Sequence, residues 1–189
     1  MEPNRTFYLS KDLMKHRQFL QALAVISTAL FCSTHIEAQV LRAGNHVALR
    51  CLGNIPGPRY LDGRTANGTV GLAPNLSPEF TGARWRVVRV GDGVVELKCL
   101  GNIEGPRWLD GRTADGTVGL APNTHGPYTG TRWQVIQVGS NPNNVVLRCL
   151  GDIEGPRWLN GKTADGTVGV APTTEPPFTG TKWEVIPLD

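Results

Sequence analysis

The chain has 189 residues, a formal net charge of +3 and no long run of either sign. That balance argues against nucleic acid as the main partner. With 23 glycines and 14 prolines set between short apolar stretches, the composition also argues against a helical protein.

The first 38 residues are unlike the rest. Lys11, Lys15, His16 and Arg17 precede the apolar run Phe19–Cys32, and short polar residues follow to Ala38. This is the order of a cleavable secretory signal, with an apolar core shorter than a membrane-spanning helix needs. Cleavage after Ala38 predicts a mature domain of residues 39–189, secreted or otherwise extracytoplasmic, with no membrane association. Removing Arg5, Lys11, Lys15, Arg17, Glu2, Asp12 and Glu37 leaves 15 basic and 13 acidic residues. A monomer is expected.

From Cys51 onward one block is written three times without a gap, beginning at Cys51, Cys99 and Cys149, in repeats spanning about 45–92, 93–142 and 143–189. A repeat of this kind dictates the architecture. His46–Cys51, Val94–Cys99 and Val145–Cys149 alternate apolar and polar residues, which predicts half-buried strands. A loop of pattern GNIxGP follows, then a second strand, RYLDGRT or a close variant. Asn67-Gly68, Asp115-Gly116 and Asp165-Gly166 read as two-residue hairpin turns. The third strand, TVGLAP or TVGVAP, stops at Pro74, Pro122 or Pro172, because proline cannot continue a ladder. A variable loop leads to the fourth strand, which opens on Trp85, Trp133 or Trp183. Twelve short strands with no helix indicate a closed all-β fold.

A strand ending in Cys-Leu-Gly, a YL or WL strand, an NGTV or DGTV hairpin and a W-x-V strand together resemble the repeat of the β-trefoil superfamily. That group includes ricin-B-type lectins and fascin-like domains. The resemblance covers about residues 45–189 and implies three four-stranded repeats with pseudo-threefold symmetry. It also implies a lectin-like activity. The Gln-x-Trp mark of ricin-B repeats is replaced here by Thr-Arg-Trp, Ala-Arg-Trp or Thr-Lys-Trp.

Trp85, Trp133 and Trp183 share a strand face with Val87, Val135 and Val185 and are expected in the core. Tyr60, Trp108 and Trp158 precede inward leucines, so they face out or onto a loop. An outward aromatic suits a sugar ring, whose C–H face packs on the π surface while its hydroxyls seek hydrogen bonds. Asp62, Asp110 and Asn160 continue that face, followed by Arg64, Arg112 and Lys162. Acceptor and cation beside an aromatic suit polyols, although Asx turns or cross-strand pairs explain the same residues. Arg59, Arg107 and Arg157 are expected to pin the GNIxGP loop through its carbonyls. Cys51, Cys99 and Cys149 are expected as buried free thiols.

Catalysis needs unlike groups converging on one point. His46 and His125 do not recur between repeats, so no enzyme activity, metal or cofactor is expected. The second and third copies agree at 28 of 38 positions, surface residues included. The sequence therefore predicts a secreted protein that binds glycans or glycoconjugates at up to three equivalent sites, Tyr60/Asp62/Arg64, Trp108/Asp110/Arg112 and Trp158/Asn160/Lys162. One alternative is an extracellular protein-binding module, an inhibitor or adhesion domain using the variable loops at 75–81, 123–129 and 173–179. Another is a structural shell without a ligand.

Overall fold

The computed structural model of the chain describes Leu41 and residues 44–188; the expected signal segment, 1–38, lies outside the described residues. Among the described residues twelve strands run in chain order: β1 His46–Cys51, β2 Tyr60–Arg64, β3 Thr69–Ala73, β4 Trp85–Gly91, β5 Val94–Cys99, β6 Trp108–Arg112, β7 Thr117–Ala121, β8 Trp133–Gln137, β9 Asn144–Cys149, β10 Trp158–Lys162, β11 Thr167–Ala171 and β12 Trp183–Leu188. Every pairing is antiparallel. Short 3-10 turns at Thr81–Ala83, Thr129–Thr131 and Thr179–Thr181 precede β4, β8 and β12.

Neighbouring strands close on themselves through the circuit β1-β2-β3-β11-β7-β6-β5-β8-β9-β12-β1. That is a closed antiparallel barrel of ten strands, with β4 and β10 joined to it. The expected β-trefoil of three four-stranded repeats is corrected to this barrel. The physical reason lies in where each strand finds its partner. The first strand of a repeat runs along the fourth strand of the preceding one, from His46↔Leu188 to Cys51↔Trp183 in β1/β12 and likewise in β4/β5 and β8/β9. Within a repeat, the first and second strands share a single register pair, such as Arg50↔Tyr60. Within a repeat the one long ladder joins the second and third strands, and the circuit closes only through the pairings between repeats.

The hairpin turns also differ from expectation. The last register pairs are Arg64↔Thr69, Arg112↔Thr117 and Lys162↔Thr167, so each turn holds four residues rather than two. The Asn67 side chain accepts hydrogen bonds from the Thr69 N–H and hydroxyl (3.1 and 2.7 Å), an Asx arrangement that Asp115 and Asp165 repeat. Gly68 closes the turn at φ 72°, a conformation that favours glycine.

The core contains Trp85, Trp133 and Trp183, all without exposure, packed with Leu49, Leu97, Leu147 and their neighbours. Each indole N–H donates to a leucine carbonyl on a second strand: Trp85 to Leu61 (2.9 Å), Trp133 to Leu109 (3.0 Å) and Trp183 to Leu159 (3.0 Å). Burial and an internal partner for the polar tip thus come together. Cys51, Cys99 and Cys149 are free and buried. Each thiol lies 3.4–3.5 Å from two glycine carbonyls of the preceding repeat, as Cys99 does from Gly63 and Gly82. Burial pushes all three thiols above the usual cysteine range, which suits a small apolar packing role.

The conserved geometry of the GNIxGP loops rests on arginine. Arg107 donates to the carbonyls of Cys99 (3.3 Å), Gly101 (2.6 Å) and Ile103 (3.0 Å), and Arg59 and Arg157 do the same in their repeats. A planar guanidinium spans three carbonyls that a lysine ammonium would not reach together. Arg107→Ala is expected to cost about 2–3 kcal/mol. A shift of the urea midpoint, with the slope unchanged, would measure it; Arg107→Lys should recover only part of the loss.

Candidate functional site

The second strand of each repeat sends alternate residues in opposite directions. Leu61, Leu109 and Leu159 are fully buried, while Tyr60, Trp108 and Trp158 are partly exposed on the other face. The acid–base positions share that face but sit in a different setting. Asp110 and Asn160 are 7% and 8% exposed, and Asp62 is intermediate. Their side-chain oxygens lie against Gly82, Gly130 and Gly180 of the 3-10 turns, where an added Cβ would come within 2.6–2.9 Å of them. Arg64, Arg112 and Lys162 are exposed at the strand ends. The Arg64–Asp62 and Arg112–Asp110 pairs are open, both at 3.9 Å.

The expected row of aromatic, acid and base therefore falls into two places. Asp110 and Arg112 line a small pocket of about 120 Å3 with Thr129 and Pro127, away from Trp108. Trp158 lines a separate groove of about 350 Å3 with Gln134, Ile136, Arg148, Arg157 and Pro172, which neither Asn160 nor Lys162 enters. Burial pushes the Asp62 and Asp110 carboxyls above the usual aspartate range, with the neighbouring arginine opposing it. The folded state then holds more protons than the unfolded one just above that range, so stability falls as pH rises through it. Asp110→Asn, which installs the residue already present at 160, is expected to flatten that slope and raise the melting temperature at neutral pH. A lower melting temperature at pH 7 would contradict this account of the carboxyl.

What stands beside each aromatic is set by register across four strands. Residues directly opposite in antiparallel strands share a face. One row reads Asn144, Glu184, Arg50, Tyr60. A second reads His46, Arg86, Lys98, Trp108. The third reads Val94, Gln134, Arg148, Trp158. The rows occupy equivalent positions and carry different chemistry. Glu184 and Arg50 form a 3.2 Å ion pair. Lys98 Nζ lies 5.4 Å from the Trp108 ring centroid, a cation–π contact. Beside Trp158, glutamine replaces the carboxylate, and Arg148 has no ion-pair partner among the described residues.

Sequence reasoning did not find Arg50, Lys98 and Arg148, or the Glu184, Arg86 and Gln134 that face them. They read as ordinary outward residues of the first and fourth strands. The single pair that the first and second strands share within a repeat brings Arg50, Lys98 and Arg148 to the aromatic, and pairing between repeats brings Glu184, Arg86 and Gln134 beside them. It also missed Ile55, Ile103 and Ile153, which are exposed at 53%, 57% and 59% on the loop tips. Among the described residues no group of three or more His, Cys, Asp or Glu side chains could hold a metal.

No family model matches the chain, and no curated protein matches it. The resemblance to ricin-B-type and fascin-like repeats is thereby corrected at the level of family as well as of fold. Short strand and turn signatures carried that resemblance.

Proposed function

We propose that the chain is a secreted carbohydrate-binding protein, without catalytic activity, whose primary site is the groove at Trp158. The observation that carries this reading is the partly exposed indole standing beside Gln134 and Arg148 in one cross-strand row, over a groove of about 350 Å3. An indole face packs against the C–H face of a pyranose. Gln134 supplies a donor and an acceptor and Arg148 supplies donors only, a combination suited to vicinal hydroxyls. Arg157 also borders the groove, but its guanidinium is held by the carbonyls of its own loop, so it shapes the wall.

Tyr60 and Trp108 are secondary platforms. The Arg50–Glu184 pair satisfies the polar groups beside Tyr60, and Lys98 lies over the Trp108 ring. The reading is therefore one principal site with two modified copies. The experiment is a glycan-array screen of the full chain. Selective binding to one class of saccharide is the expected result; a blank array from folded protein would overturn the reading.

A second reading, a protein-binding module, draws on the three exposed isoleucines. Apolar side chains repeated at loop tips suit a protein partner better than a sugar. Under that reading Ile55→Ser, Ile103→Ser and Ile153→Ser together abolish binding, and under the carbohydrate reading they leave it intact.

A further inference from the structure

We infer that the row His46, Arg86, Lys98 and Trp108 is a site for the anionic group of a saccharide, a sulfate ester or a carboxylate. The inference rests on the carbohydrate reading above and assigns the second copy of the site a different ligand chemistry.

Arg86 and Lys98 stand directly opposite each other in β4 and β5, and like charges at such a position oppose the pairing of the strands. Neither has an ion-pair partner among the described residues. His46, directly opposite Arg86 on the other side, is exposed and adds no negative charge. The carboxylate two positions from Lys98, Glu96, is 5% exposed. It is hydrogen-bonded to Thr124 and lies near Arg132 and His125, so it belongs to another cluster. The same pair of positions is neutralised in the first row by Glu184 with Arg50 and is reduced to one cation in the third by Gln134. Only the second row leaves two adjacent cations next to an aromatic.

Lys98 decides which sugars fit. A neutral pyranose stacking on the face of Trp108 that Lys98 covers must displace the ammonium and lose the cation–π contact. An oxyanion meets Lys98 where it stands and is bridged by Arg86, so the cation–π contact with the indole is kept. The row thus disfavours neutral sugars and selects charged ones.

The test compares three polymers with one backbone, dextran, dextran sulfate and carboxymethyl dextran, titrated into the full chain at low salt by calorimetry. One or both charged polymers are expected to bind at least about tenfold tighter than dextran, the tighter one identifying the anion, with the advantage shrinking as salt rises. Arg86→Gln with Lys98→Gln is expected to weaken that binding roughly tenfold, about threefold per cation. Lys182→Gln, which removes an exposed cation elsewhere, should change it less than about twofold. Equal losses in Lys182→Gln, or none in the double variant, would overturn the inference. Full displacement by inorganic sulfate at matched sulfate concentration would also overturn it, since a plain anion site would then suffice. Failure here with Trp158-dependent binding of neutral glycans intact leaves the principal site standing; a blank array removes both.

Discussion

Trp133→Ala is expected to bring the barrel close to unfolding. The indole is fully buried, and removing a core aromatic costs about 3–5 kcal/mol. Its N–H partner, the Leu109 carbonyl at 3.0 Å, is left without that donor, at a further cost of about 1 kcal/mol. The surroundings have little means of collapsing into the gap. An added Cβ at Gly111 would stand 2.9 Å from the indole and 2.8 Å from the Cys149 sulfur, so backbone already abuts the ring and is fixed by its own ladder. Against a total stability of about 5–15 kcal/mol, one such change consumes a large share. Trp133→Phe keeps most of the packing and loses the hydrogen bond, so about 1–2 kcal/mol is expected. Urea unfolding of both variants checks the order. A loss below about 1 kcal/mol for the alanine variant would contradict the role of the tryptophan as a keystone of the core.

Trp158→Ala is expected to remove most glycan affinity. Aromatic anchors at the centre of a recognition site commonly contribute about 2–3 kcal/mol, a loss of roughly thirtyfold or more. Trp158 lies outside the core cluster, so the fold should survive and the loss can be read as binding. Trp158→Tyr places there the aromatic that the first repeat carries at Tyr60 and should retain partial affinity. Trp108→Ala should change neutral-glycan binding far less, because Lys98 already covers that ring. Equal losses from Trp108→Ala and Trp158→Ala would make the second and third copies equivalent and contradict their ranking.

Much of the fold was legible in particular residues. Period-two alternation placed the first strands, Pro74, Pro122 and Pro172 marked the ends of the third strands, and the invariant tryptophans of the fourth strands are core residues. The hairpins were misread because Asn67-Gly68 resembles a two-residue turn. Asn67 instead caps Thr69, and the chain needs Thr65 and Ala66 to turn. Pairing between repeats was not legible, because alternation says which face a residue takes and nothing about which strand lies beside it. For the same reason the site was only half visible. Trp158 was found, but Asn160 and Lys162 do not enter its groove; Arg148 reaches it from the preceding strand of the same repeat and Gln134 from the fourth strand of the repeat before. Asp110 was read as an outward acceptor; it is covered by the turn at Gly130, a contact that no periodicity announces.

The central claim is that Trp158 anchors a neutral saccharide while the other indoles do not share that role. Indole N–H resonances of the 15N-labelled full chain, followed during titration with a neutral saccharide that the array selects, test it most directly. The predicted result is a saturable shift of the Trp158 signal, little change for Trp108, and none for Trp85, Trp133 and Trp183, whose N–H groups are buried on leucine carbonyls. Saturable binding that leaves the Trp158 signal in place would contradict the account.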